Sequence, residues 1–310
     1  MSEPRMAWIA EDPASKAVID LAHKVADTLT TLLIMGESGT GKDHLARLIH
    51  ELGPRRDAPF LKIDCASLPQ DLVESELFGH ERGAFTGAVE RKLGRLEMAQ
   101  GGTIVLDEVA ALSPATQAKL LRVLEERQFE RLGGTETITI ASRLIALTNS
   151  ELSRLVADGQ FREDLFFRLS VLTISVPALR ARPADILPLA DALLERAARV
   201  HGRAGTSFAE PVRRMLSAYS WPGNVRELKN SIERALVFST GPILTPQDFP
   251  ESVQRADSGQ GVALRSLDDI ERDAIRATLE ATHYKIGKSA AILGISRKTL
   301  LDKRKRFDLS

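Results

Sequence analysis

"TTLLIMGESGTGKDHLARLIHEL", Thr30 to Leu52, joins three different patterns in one short segment. Its first part, "TTLLIMG" (Thr30 to Gly36), is short, β-branched and aliphatic and ends in glycine, which is how a buried strand reads. Its last part, "KDHLARLIHEL", places Leu45, Leu48, Ile49 and Leu52 at helical spacing. Between them lies "GESGTGK": Gly36, Glu37, Ser38, Gly39, Thr40, Gly41 and Lys42. Strand, glycine-rich loop, lysine and helix in that order are the context of a phosphate-binding P-loop. The glycines let backbone N–H groups wrap phosphate oxygens, and the helix N-terminus adds positive potential. Lys42 can reach the β- and γ-phosphates of ATP. A plain glycine-rich turn is the alternative, outweighed by a nearly full-length pattern in its required context. The same letters fail as a nucleophile elbow, because Thr40 stands where glycine is needed.

One position departs from the general motif. Ser or Thr is expected after the lysine, to hold magnesium, and here it is Asp43. Either the metal is held otherwise or hydrolysis is impaired; a carboxylate can also face magnesium directly or through water. The second half of the site is "GGTIVLDE". Asp107 ends an apolar run, where a carboxylate can hold magnesium at the sheet's edge, and Glu108 can polarise an attacking water. An Asp-Glu pair is usually a solvated turn, but after a buried strand and downstream of a P-loop the hydrolytic reading prevails.

The whole chain sets the frame. Its 310 residues suffice for two or three domains, and 42 basic residues balance 42 acidic ones, so it is no polyelectrolyte. Cys65 is the single cysteine, which excludes an intrachain disulfide and fits a reducing compartment. The start, "MSEPRMAWIAEDP", lacks a signal-peptide pattern, and no apolar run approaches the ~20 residues of a membrane helix. The expectation is a soluble cytoplasmic protein with no membrane partner. The six histidines show no metal-ligand spacing.

"APFLKID", "TIVLDE", "RLIALTN" and "VLTISV" read as further strands, alternating with helices such as "SPATQAKLLRVLEERQF", where Ser113 is an N-cap and Pro114 sits in the first turn. Strands alternating with helices imply a mostly parallel sheet covered on both faces. After Pro177 only helical segments are legible, with no strand between them. The expected domains are an α/β nucleotide-binding part over 1–176, a helical subdomain over 177–249, a linker over 250–264 and an all-α DNA-binding domain over 265–310. In that last domain "HYKIGKSAAILGISRKTLLDKRKRF" reads as two helices joined by Leu293-Gly294-Ile295-Ser296, with Ser296 capping a basic second helix. A solvated charged helix is the alternative. Ser296, Arg297, Lys298, Thr299, Lys303 and Arg304 are the expected DNA contacts, with Arg297, Lys298 and Thr299 the expected base readers.

One stretch follows no periodicity. "ELFGHERGAFTGAVERK" (Glu76 to Lys92) centres on Gly83, Ala84, Phe85, Thr86, Gly87 and Ala88, a bare aromatic between two glycine hinges. Read alone, it is a surface loop.

Taken in order, "GESGTGK", "ELFGHERGAFTGA", "GGTIVLDE", "FREDLFFRL", "WPGNVREL" and the C-terminal helix-turn-helix resemble the bacterial enhancer-binding proteins, AAA+ ATPases that activate sigma-54-dependent transcription. The resemblance runs from about Trp8 to Leu309. It implies an AAA+ P-loop sheet with a helical lid and a Fis-type domain that pairs as a dimer on enhancer DNA. It implies that residues 83–88 touch sigma-54 in the polymerase holoenzyme, and that the chain forms a hexameric ring. The family's P-loop commonly ends in an acidic residue, as Asp43 does here. Arg162 and Arg168 match its arginine fingers, Arg226 its sensor arginine, and Asn149 its polar sensor. Asp64 stands where the family often has an Asn that restrains the glutamate; beside Glu108 a second carboxylate would repel, so that restraint must differ or be weaker. Most members carry a fused N-terminal sensor, and only about thirty-five residues precede the P-loop here, so the expectation is a regulatory protein acting in trans. Two other classes stay open on the residues: an AAA+ unfoldase or protease partner, and a DNA-binding protein that holds ATP as a structural ligand or joins a catalytic partner in a mixed ring. Asp43 and Asp64 keep the second of these in play.

Overall fold

A computed structural model describes residues 8–255, 267–282 and 284–307. The chain separates into two compact units, with the division between Gln254 and Arg255.

The first unit is built on five parallel strands: β1 (Leu32–Met35), β2 (Phe60–Asp64), β3 (Thr103–Asp107), β4 (Arg143–Thr148) and β5 (Leu172–Ser175). Their order across the sheet is β2-β3-β4-β1-β5. Both faces are covered, as the apolar strand runs require. Alternation divides the side chains between two cores. Ile104 and Leu106 of β3, with Leu144 and Ala146 of β4, enter one core together with α3 (Gln70–Phe78), α4 (Pro114–Glu126) and α5 (Glu163–Leu169). Val105, Ile145 and Leu147 point the other way, onto α1 (Pro13–Ala26) and α2 (Lys42–Leu52). Ser113 caps α4 by accepting from the Thr116 amide at 3.2 Å, with Pro114 at the first helical position.

Beyond β5 the same unit carries a helical lid: α6 (Pro183–Val200), α7 (Glu210–Ala218) and α8 (Asn224–Phe238). Their apolar stripes meet around Trp221, which is fully buried and donates its indole N–H to the Leu216 carbonyl at 2.9 Å. The sequence reading found no strand here. In fact Ser207–Phe208 and Ile243–Leu244 pair in parallel, each too short to show a period of two. The lid also runs past its expected end: Glu251–Gln254 is a helical turn that sets Val253 into the lid core beside Phe249. The rest of the expected linker, from 256 to 264, lies outside the described residues.

The second unit holds α9 (Leu267–Ala281), α10 (Ile286–Ile292) and α11 (Arg297–Arg306), with Ile275, Leu279, Ala290 and Leu300 forming its core. Among the described residues no helix is long and apolar enough to cross a membrane.

Candidate functional site

The P-loop leaves β1 and enters α2 as the spacing predicts. Gly41 takes a left-handed φ of 103° at the N-cap of α2 and offers no capping side chain, so the first-turn amides keep their donors for an anion. Gly39 is required twice over. Its φ is 78°, and a Cβ there would lie 2.5 Å from the Gly223 carbonyl of the lid. Lys42 is buried and folds back over the loop, donating to the Gly36 and Glu37 carbonyls at 2.7 and 3.2 Å. Burial pushes its pKa down, an effect that the charges of Glu108, Asp107 and Asp43 only partly offset.

The carboxylates divide by role. Asp107 ends β3, and Asp43 lies in the first turn of α2. Both grip one ammonium, that of Lys62: Asp43 Oδ1 at 2.5 Å and Asp107 Oδ2 at 2.6 Å. Oxygen donors from two elements that converge on one cation suit a hard divalent ion such as magnesium, and the residues present fit it. Glu108 takes a left-handed φ of 54°, which turns it out of the strand direction. Its carboxylate accepts the Asn149 amide at 3.1 Å. Asn149 therefore holds Glu108 through its backbone, while its side-chain carbonyl accepts the Ser150 hydroxyl. Asp64 is the position where the restraint on Glu108 is expected to differ or be weaker. Its carboxylate turns back on its own chain and accepts the Ala66 and Ser67 amides at 3.0 and 3.1 Å.

Two P-loop side chains serve the lid rather than the phosphate. Glu37 pairs with Arg180 and accepts from Asn224 at 3.1 Å, and these bonds hold its carboxyl down at about 2. Ser38 accepts from Arg226 at 2.7 Å, and the Arg226 amide donates to the Gly39 carbonyl at 3.3 Å. Thr40 is buried, with its hydroxyl on the Glu37 carbonyl. Arg226 is thus seated on the P-loop and lines an open cleft of about 640 Å³ with Glu37, Ser38 and Asn149. A second cleft, of about 370 Å³, opens beside Gly41 and is walled by Trp8, Ile9, His44 and Arg182. Trp8 stacks on His44 with ring centroids 5.6 Å apart.

The two expected finger arginines are not a clamp on one helix face. Arg162 is the N-cap of α5, outside the helix. It pairs with Asp164 at 2.7 Å. Arg168 lies in the last turn and donates to the Leu124 carbonyl at 2.9 and 3.2 Å.

The aperiodic stretch stands on a stem that sequence periodicity missed, Gly79–His80 paired antiparallel with Lys92–Leu93. Gly83 and Gly87 both take left-handed φ with open space around them. The loop closes on itself through Gly83 N–H to the Ala88 carbonyl at 2.8 Å. Phe85 is 42% exposed and leans edge-on against His80 at 4.9 Å. Thr86 is exposed, whereas Ala88 is buried and belongs to the loop's base. Val89, passed over in the sequence, is 75% exposed.

Residues 8–175 match the Sigma-54 interaction domain, residues 180–265 the AAA+ ATPase lid domain, and residues 266–307 the Bacterial regulatory protein, Fis family. The chain belongs to the sigma-54-dependent activator family. Among relatives of this activator family, nitrogen fixation protein VnfA of Azotobacter vinelandii is 45% identical, over 94% of this chain and 57% of its own length. Transcriptional regulatory protein ZraR of Klebsiella oxytoca is 43% identical, over 97% of this chain and 69% of its own. The structure of NtrX from Brucella abortus in complex with ATP superposes with a TM-score of 0.76 at 33% identity, covering 98% of this chain and 69% of that one. The chain spans between half and two thirds of the length of VnfA, one of the curated relatives it matches.

In the Fis-type unit, Ser296 caps α11 and accepts the Thr299 amide at 3.0 Å. Arg297 and Lys298 are exposed at the start of that helix. Lys303 is instead drawn to Glu271 of α9 at 2.6 Å, and Arg304 lies over the Tyr284 ring at 5.9 Å. Five residues around the P-loop and lid are not legible in the sequence as site residues: Trp8, Lys62, Arg180, Arg182 and Asn224. Asn224 lies inside the quoted "WPGNVREL", and a left-handed position after Pro-Gly was the signal that could have found it.

Proposed function

We propose that this chain is an ATP-hydrolysing transcription activator that binds upstream DNA, assembles into a hexameric ring and remodels the sigma-54 RNA polymerase holoenzyme to open promoters. The observation that carries the reading is a P-loop with Lys42 folded over its carbonyls, beside which Asp43 and Asp107 meet on one ammonium, in the body that also bears the glycine-hinged loop 83–88.

The α2 amides and Lys42 bind the β- and γ-phosphates, with Lys42 exchanging the Gly36 and Glu37 carbonyls for phosphate oxygens. Asp107 and Asp43 would hold magnesium, which when bound would supply positive charge against the transferring phosphoryl group. Glu108, steadied by the Asn149 amide, orients the attacking water and accepts its proton. The cleft at Trp8, Ile9 and His44 takes the adenine ring against its stacked aromatics. Arg162 and Arg168, once released from Asp164 and the Leu124 carbonyl, reach a neighbouring subunit's γ-phosphate; such arginines contribute roughly 10³–10⁵ in rate. Arg226 and Asn224 carry the nucleotide state from the P-loop to the lid. Phe85 and Thr86 on the loop make the sigma-54 contact, with Ala88 anchoring its base. Paired Fis-type units present Arg297, Lys298 and Thr299 to the major groove. The length carried by relatives beyond the matched region removes the argument for a regulator in trans that rested on the short segment before the P-loop.

The test is ATP turnover and binding by the purified chain. Lys42→Ala should lose ATP binding, and Glu108→Gln should bind ATP but lose turnover. Normal hydrolysis by Glu108→Gln would overturn the assignment.

A further inference from the structure

We propose that Lys62 is the built-in counter-ion of the magnesium site: its ammonium occupies the place of the divalent cation between Asp43 and Asp107, and must withdraw before the metal can bind. The inference rests on the nucleotide-site reading above.

The sheet explains why this side chain arrives there. Along β2, Leu61 and Ile63 turn toward the core shared with α3 and α4, while Phe60 packs on the opposite face, toward α2. Alternation therefore puts Lys62 on the α2 face as well. In register, Lys62 lies beside Val105 of β3, and two residues on Asp64 lies beside Asp107. A lysine stem from that position reaches along the strands to the edge where β3 ends and α2 begins. Its Nζ meets Asp107 Oδ2 at 2.6 Å and Asp43 Oδ1 at 2.5 Å.

Charge gives the arrangement its consequence. Asp107 is only 15% exposed, and two carboxylates facing one another without a cation would repel. One ammonium satisfies both and keeps their oxygens aimed at a single point. Magnesium asks for oxygens at roughly 2.0–2.1 Å in near-octahedral array, usually completed by water and nucleotide phosphates. An ammonium and a magnesium ion cannot share that point. In the absence of nucleotide a bare divalent cation must displace Lys62 for the sake of two carboxylates. With nucleotide present the phosphates supply further ligands and the exchange becomes favourable. Lys62 thereby makes metal binding conditional on nucleotide. It acts through Asp43 and Asp107 and is a positioning residue.

The experiment is titration of the full chain with Mn²⁺ in the absence of nucleotide, followed by the electron paramagnetic resonance signal of free Mn²⁺. Lys62→Met, which keeps stem length but removes charge, should bind Mn²⁺ at least about tenfold more tightly than the unaltered chain. Lys62→Arg, which keeps the charge, should stay within about twofold of it. Adding Asp43→Asn to Lys62→Met should remove the gain. Unchanged Mn²⁺ affinity in a Lys62→Met protein whose thermal melting shows it folded would overturn the proposal, as would equal gains in the Met and Arg variants. If Lys62→Met does not fold, Lys62→Gln takes its place under the same criteria. A parallel titration of the unaltered chain with Mn²⁺ and ATP together separates the two ideas: no binding there would sink the nucleotide-site reading itself, whereas binding there with no Lys62 effect would sink only the counter-ion.

Discussion

Asn224 is the most informative single perturbation, because it is fully buried and joins the P-loop to the lid. Its side-chain carbonyl accepts the Leu179 amide at 2.8 Å, and its side-chain amide donates to the Glu37 carboxylate at 3.1 Å and the Ser38 carbonyl at 3.0 Å. Its backbone sits at φ 53°, a left-handed conformation that Asn tolerates and alanine does not. In Asn224→Ala the buried Leu179 N–H loses its acceptor, which costs about 1–3 kcal/mol. Losing the two donated bonds adds about 1 kcal/mol, given that Glu37 remains paired with Arg180. Holding alanine in the left-handed region adds about 1 kcal/mol more. The sum is about 3–5 kcal/mol, or roughly 10 °C in Tm for a unit of this size. Thermal melting followed by circular dichroism reads it directly. Asn224→Gly loses the same bonds without the backbone strain and should recover about 1 kcal/mol of the loss. A Tm shift below about 3 °C for Asn224→Ala would refute the reasoning. A glycine variant as damaged as the alanine one would refute the strain component.

Two further predictions concern single side chains. Burial, with added repulsion from Asp107, Asp64 and Glu108, pushes the Cys65 thiol up to about 12. Folding thus favours the protonated form: stability from this group is full below its ordinary value of 9.0 and is lost as pH rises from there toward about 12. Iodoacetamide at pH 8.5 should label folded Cys65 at least about a hundredfold more slowly than the urea-unfolded chain, and equal rates would contradict the burial. In the Fis-type unit, Lys298→Ala should weaken DNA binding and lower the salt slope by about one, while Lys303→Ala, whose ammonium is already engaged by Glu271, should change it less; a fluorescence anisotropy titration across salt concentrations ranks the two.

What could be read along the chain was what a local pattern encodes. The strand, P-loop and α2 follow from a run of apolar letters, three spaced glycines before a lysine and a helical stripe, and they stand as read. Asp107 and Glu108 were legible because an apolar strand ends at them, and Ser296 because a hydroxyl precedes a helical run after glycine. The loop 83–88 was legible by resemblance, but its two-residue stem was not, since a pair of residues carries no period. What stayed hidden depends on elements meeting in space. Nothing in "FLKID" tells that Lys62 reaches α2, because that follows from which face of β2 meets α2. Glu37 reads as a phosphate-loop residue and proves to face the lid, because Arg180 lies 143 positions away along the chain. Asp64 reads as a neighbour of Glu108 and is instead absorbed by its own turn, a local competition that burial and charge patterns do not display.

In the proposed function, ATP hydrolysis at the P-loop drives the loop at residues 83–88 against a sigma-54 polymerase complex. Phe85 leans on His80 rather than belonging to the P-loop. The direct measurement is open-complex formation on a sigma-54 promoter, with ATP turnover recorded in the same reaction, for the unaltered chain and for Phe85→Ala. The expected result is ATP turnover within about threefold of the unaltered chain together with loss of at least about nine-tenths of open complexes. Promoter opening by Phe85→Ala at the unaltered level would contradict the claim.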